Sequence, residues 1–99
     1  MTPWDVRVSP VARQSLLALP DTAFGRVSDT IELLGSSPFL GREYYPSYEA
    51  ARLPFPCRVV YVGHYGLYYT ADKEAQELYL RFIEDQRMGP KRRFTGRLR

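Results

Sequence analysis

From Cys57 to Asp85 the chain reads CRVVYVGHYGLYYTADKEAQELYLRFIED, crowded with the β-branched and aromatic residues that suit strands. Gly63-His64 supplies a tight turn and Asp72 to Gln76 a polar break, so the stretch predicts three adjacent antiparallel strands. A two-residue turn there pairs Val62 with Tyr65, Val60 with Leu67 and Arg58 with Tyr69. Alternation then sorts the side chains. Val60, Val62, Tyr65, Leu67 and Tyr69 share an apolar face, with Leu78, Leu80 and Phe82 joining from the third strand. Cys57, Val59, Tyr61, Gly66, Tyr68 and Thr70 share the other, with Glu77, Tyr79, Arg81 and Ile83, and this mixed face reads as the open one. A slip of one residue would exchange the two.

Upstream, Trp4 to Val8 alternates as a short half-buried strand would. Ser9-Pro10 follows with a capping hydroxyl and a proline at the first helical position, where no N–H is required. Ala12, Leu16 and Leu19 then fall on one face of a first helix, which Pro20 closes. Asp21 is the expected cap of a second helix carrying Phe24, Val27, Ile31 and Leu34 on its apolar stripe. Gly35, in a left-handed conformation, is expected to end that helix ahead of Ser36-Ser37-Pro38. The two helices form an antiparallel pair whose stripes face the sheet. Phe39 to Pro56 is irregular, with three prolines, a turn of helix near Ser47 to Arg52 and three tyrosines (Tyr44, Tyr45, Tyr48) that suit the edge of a core.

Ninety-nine residues allow one domain with a single modest core. No apolar run reaches the roughly 20 residues that a spanning helix needs, and MTPWDVRVSP has no secretory pattern, so a cytoplasmic protein with no membrane role is expected. One cysteine and one histidine leave no disulfide and no zinc set, and no cofactor is implied. The net charge of +3 conceals an asymmetry. Residues 86–99 hold six of the fourteen Lys and Arg and no acid, about +6, whereas residues 1–85 hold the other eight and all eleven acids, about −3. Such a tail suits phosphate or an acidic partner.

The elements come in the order strand, helix, helix, loop and three strands, and the joints carry V-x-V-S-P-x-A-x-x-x-L-x-x-L at Val6 to Leu19, L-x-x-x-P-x-x-G at Leu34 to Gly41 and R-x-x-x-V-G-x-Y-x-L-x-Y at Arg58 to Tyr69. In this order they resemble the RelE/ParE-type toxins of bacterial toxin–antitoxin modules, the plasmid-stabilising or addiction systems. The resemblance implies one α+β domain over residues 1–99: an N-terminal strand, a two-helix hairpin and a three-stranded antiparallel meander packed on the helices, with a basic tail from about residue 86. It also implies a cognate antitoxin that wraps the toxin. RelE-like members cut mRNA on the ribosome through attack of the 2′-hydroxyl on the adjacent phosphate; ParE-like members poison DNA gyrase. Neither acts on a small-molecule substrate.

Cleavage of that kind needs a base, cations for the developing negative charge and an acid for the leaving oxygen. The resemblance places Lys and Arg on the open sheet face for this, one of them just after the tyrosine that opens the middle strand. Here that residue is Gly66, Val59 and Tyr61 stand where cations are expected, and Gln86-Arg87 is followed by Phe94 instead of a tyrosine. A substitute set consists of Arg81 and Arg87 as phosphate clamps, His64 as a titratable base and Tyr68 as a stacking or proton-transfer group. Arg58, Tyr61, Tyr79, Lys91, Arg92 and Arg93 are the candidates for contact with target or antitoxin. Each has an ordinary alternative: a turn histidine, a cross-strand aromatic, or an Arg58 ion pair with Glu43 or Glu49. Cys57 reads as a small apolar core residue. The absent cations favour a toxin of the ParE-like, non-nucleolytic kind. The alternatives are a ribosome-dependent endoribonuclease with the relocated set, and a non-toxic basic RNA-binding or interaction module.

Overall fold

The computed structural model describes residues 3–44, 53 and 55–88. Its elements are β1 (Asp5–Val8), α1 (Pro10–Leu17), α2 (Asp21–Ser36), β2 (Arg42–Glu43), β3 (Arg58–Val62), β4 (Tyr65–Asp72) and β5 (Glu77–Asp85). The strands form one sheet in the order β1-β5-β4-β3-β2. The β3–β4–β5 meander is as the sequence implied. Val62 pairs with Tyr65, Val60 with Leu67 and Arg58 with Tyr69, across a turn in which Gly63 takes φ +59°. At the β4–β5 turn the Asp72 carboxylate accepts the Glu74 and Ala75 N–H groups at 3.1 Å each. β1 lies parallel to β5 and closes one edge. The two-residue β2, unforeseen in the proline-rich stretch, lies antiparallel to β3 at the other.

One face of the sheet receives the helices. Leu67, Tyr69, Leu78, Leu80 and Ile83 are buried with Ala12, Val27 and Leu34, and Leu16, Leu19, Ile31, Val60 and Val62 pack around them. Burial of this kind is the main stabilising term for a domain of this size. Phe24 is the exception on the second helical stripe, 39% exposed. The Tyr69 hydroxyl, inside this core, accepts the Gly41 N–H at 2.9 Å and ties the start of β2 to the sheet.

Ser9 caps α1 as expected, accepting the Ala12 N–H at 3.0 Å, and its hydroxyl donates to the Arg81 carbonyl at 2.7 Å. Two helix-end expectations are corrected. Pro20, not Asp21, holds the cap position of α2, and Asp21 is the first helical residue, where its charge still favours the helix N-terminus. Gly35 lies within α2, with no positive φ. It is small because β1 crosses it: a Cβ would stand 3.3 Å from Val6 Cγ2, and the Trp4 N–H donates to the Gly35 carbonyl at 2.7 Å.

The largest correction concerns the third strand. Tyr68 pairs with Phe82 but Tyr69 pairs with Leu80, so Arg81 is an extra residue, a bulge. One added residue reverses the alternation beyond it. Phe82 therefore leaves the helical face and joins Cys57, Val59 and Tyr68, while Ile83 enters the helical core.

Candidate target-binding face

The face away from the helices is partly roofed. Tyr44, Leu53 and Phe55 pack over Cys57, Val59, Tyr68 and Phe82 together with Val11 of α1. The Tyr44 ring meets Tyr68 edge-on at 4.8 Å between centroids, which fits the expectation that a tyrosine of this loop covers a core edge. Tyr45, Tyr48 and the turn of helix expected near residues 47–52 lie outside the described residues. Tyr68 is fully buried, and its hydroxyl accepts a hydrogen bond from Gln86 Nε2 at 2.9 Å. Cys57 is buried below the same roof. Burial pushes its thiol up to about 11, against a smaller opposing pull from the Arg81 charge, so it stays protonated at neutral pH, consistent with an apolar packing role.

Gly66 opens the floor of this face beside Tyr68, and the space above it is filled. A Cβ there would stand 2.6 Å from Gln86 Nε2, 2.9 Å from Tyr68 Cε2 and 3.0 Å from the Tyr68 hydroxyl. The position lacks a cation and is sterically closed to one. Tyr61, across from Gly66 on β3, is 42% exposed with the Arg42 guanidinium 5.6 Å above its ring.

The other sequence candidates are each held by partners of their own. His64 is exposed in the β3–β4 turn with its ring against Tyr65, 4.3 Å between centroids. Arg87 follows β5 and forms a two-pronged pair with Asp85, at 2.6 Å from Nη2 and 3.0 to 3.1 Å from Nε. Arg58 donates from Nε and Nη2 to the Gly41 carbonyl at 3.0 and 2.6 Å, beneath the Phe39 ring at 5.2 Å. Among the described residues this replaces the expected pair with Glu43; Glu49 lies outside them, as do Lys91, Arg92 and Arg93. Arg81 is held differently. Its guanidinium lies over the Phe55 ring at 4.3 Å and the Tyr79 ring at 4.9 Å, with Nε donating to the Thr70 hydroxyl at 3.3 Å. His64, Tyr68 and Arg87 thus meet around Gln86 at one end of the sheet, where the Gln86 N–H donates to the His64 carbonyl at 2.7 Å, its amide donates to the Tyr68 hydroxyl and Asp85 feels both His64 and Arg87, whereas Arg81 contacts Phe55, Tyr79 and Thr70. Phe55 and Arg42 were missed by the sequence reading. Both lie in the proline-rich stretch, where no periodicity says which side chains return to the sheet.

The Arg87 hydrogen bonds hold the Asp85 carboxyl down at about 2, and the pair in turn raises Arg87. A carboxyl depressed in the folded state contributes its stability above the unfolded value near 3.9, and that contribution fades as pH falls through about 2. A carbon-detected NMR titration is expected to show Asp85 titrating near 2 and returning towards 3.8 in Arg87→Ala. An unshifted Asp85 in the unmodified chain would mean that Arg87 is not engaged there.

Among the described residues, no group of three His, Cys, Asp or Glu is placed to hold a metal ion, and no helix is long and apolar enough to cross a membrane.

This α+β arrangement, a helical hairpin on one face of a mixed five-stranded sheet, is the fold of the RelE-type toxins. The chain is similar to the toxin–antitoxin complex RelBE2 from Mycobacterium tuberculosis, with TM-score 0.68 and 21% identity over 84% of this chain and 98% of that one. It is similar to the archaeal RelE–RelB complex from Pyrococcus horikoshii OT3, with TM-score 0.71 and 13% identity over 90% of this chain and 100% of that one. It is also similar to the isolated E. coli RelE toxin, with TM-score 0.62 and 14% identity over 87% of both chains. No family model and no curated protein matches the sequence. At these identities the likeness is one of fold.

Proposed function

We propose that this chain is the toxin of a type II toxin–antitoxin pair, neutralised by a cognate antitoxin, and that it arrests growth without cutting RNA, in the ParE-like manner. The first half rests on the fold, which is that of proteins whose solved structures are toxin–antitoxin complexes. The second half rests chiefly on Gly66. Where a RelE-like ribonuclease is expected to carry a cation, this position is closed by the Tyr68 ring and the Gln86 amide. A relocated set is weakened by its members' engagements: Tyr68 is buried with its hydroxyl taken by Gln86, and Arg87 is paired with Asp85, although the His64 turn adjoins them. With Tyr68 buried and Arg87 paired to a carboxylate, the described members of this set are poorly placed to activate a 2′-hydroxyl or stabilise its attack.

The test is induction of the chain alone in a bacterial host, with RNA ends and gyrase-linked DNA breaks mapped together. Growth arrest with gyrase-linked breaks and an unchanged RNA-end profile is expected. Arrest with codon-phased mRNA cuts would sink the non-nucleolytic reading, and normal growth with neither lesion would sink the toxin reading itself.

A further inference from the structure

Arg81 is a half-buried arginine of the sheet that has no anionic partner among the described residues, and unlike the exposed Arg42, which lies over the Tyr61 ring, it is held at more than one point. Arg7 pairs with Asp5 and Glu77, Arg87 pairs with Asp85, and Arg58 is spent on the Gly41 carbonyl. Arg81 is half-buried, its guanidinium lies over the Phe55 and Tyr79 rings with Nε donating to Thr70, and no carboxylate among the described residues answers its two Nη groups. Contact with two aromatic rings and a hydroxyl restricts the fork before any ligand arrives, so less side-chain entropy remains to be lost on binding. The bulge adds to this, because the Ser9 hydroxyl holds the Arg81 carbonyl from the far side of the strand. A flat, prepositioned fork of N–H donors suits a carboxylate or a phosphate oxygen pair.

The surrounding charges decide between the two. Thr70 and Tyr79, which hold Arg81, also line an open cleft of about 480 Å³ together with Arg7, Asp72 and Glu77. Asp5, Glu77 and Asp72 lie opposite one another in register across β1, β5 and β4, two residues along from Arg7, Tyr79 and Thr70. Arg7 and Arg81 thus face three carboxylates, a net charge of about −1 over this end of the sheet. A polyanionic nucleic-acid backbone is repelled there, since its affinity depends on successive phosphates meeting successive cations. A single carboxylate flanked by positive side chains fits both signs at once.

We infer that the Arg81 fork and the adjoining acidic cleft form a docking site for an extended protein segment, with an acidic side chain on Arg81 and basic neighbours against Asp72 and Glu77. Resting on the toxin reading above, that segment belongs to the antitoxin. Arg81 is then a binding residue for the neutralising partner.

The site is tested on the purified full chain, free of any growth assay, by following the Arg81 Nε–H resonance. The probes are the capped peptide acetyl-Lys-Ala-Glu-Ala-Lys-amide, the same peptide with Gln in place of Glu, and a short single-stranded oligouridine. The Glu peptide is expected to move the Arg81 resonance saturably, with binding weakened about tenfold by the Gln replacement or by Arg81→Lys, as loss of one charge-assisted hydrogen-bonded pair implies. Oligouridine is expected to leave Arg81 unshifted. Saturation by oligouridine without the Glu peptide would assign the fork to nucleic-acid phosphate. No shift with either probe, or equal affinity for the Glu and Gln peptides, would overturn the site. Either result would leave the toxin reading standing, because that reading fails only in the induction experiment.

Discussion

Gly66→Arg is expected to unfold about 10–20 °C below the unmodified chain in a thermal melt followed by circular dichroism. Its Cβ would stand 2.9 Å from Tyr68 Cε2 and 2.6 Å from Gln86 Nε2, at a position that is itself buried. Inserting atoms into a packed site typically costs about 1–3 kcal/mol, and a charge brought into it without a partner adds to that. For a domain of this length, about 3 kcal/mol corresponds to the stated shift. Gln86→Ala in the same background relieves only part of the loss, because the amide end can move aside and the tyrosine ring cannot. The substitution restores the residue type that the family resemblance places there, so it also bears on function. A variant that melted normally and gained RNA cleavage would show an intact ribonuclease platform and contradict the reading offered above.

Ser9→Ala is the second large effect, a loss of roughly 2–3 kcal/mol. The hydroxyl accepts the Ala12 N–H and donates to the Arg81 carbonyl in a residue only 7% exposed. Loss of a helix cap costs about 1 kcal/mol, and a part-buried carbonyl that loses its donor costs about 1–3 kcal/mol. Ser9→Thr keeps the hydroxyl and is expected to recover most of it. Urea unfolding of the three proteins decides the matter, and equal midpoints for Ser9→Ala and the unmodified chain would mean that water replaces both bonds. The same substitution should loosen the bulge and, through it, the presentation of Arg81.

These two residues also mark where the sequence was informative and where it stopped. Ser9-Pro10 announces a helix start from local chemistry alone, because the capping hydroxyl and the N–H that donates to it lie three residues apart. The second bond of that hydroxyl, to a carbonyl 72 residues away, leaves no local trace. The Gly63-His64 turn likewise fixes the β3–β4 register exactly as read. The bulge at Arg81 does not show in the string LYLRFI, where strict alternation is equally consistent with the residues. One unpaired position was enough to exchange Phe82 and Ile83 between faces. Gly35 was misread for a related reason: a glycine near a helix end suggests a terminus, and only the crossing of β1 reveals that it makes room. The face expected to be open was read from β3, β4 and β5 without the irregular stretch, whose Tyr44, Leu53 and Phe55 return to cover it. The candidate chemistry was legible as an absence at Gly66. The structure adds that the absence is filled by Tyr68 and Gln86.

The central claim is that the sheet face holds targets or partners and does not cut RNA. The most direct measurement incubates the purified chain, free of antitoxin, with ribosomes translating a defined mRNA and maps the message ends. The message is expected to remain intact at chain concentrations that inhibit DNA gyrase supercoiling in a parallel reaction. Cuts at the ribosomal A site, lost in Arg81→Ala or Arg87→Ala variants that still fold, would contradict it.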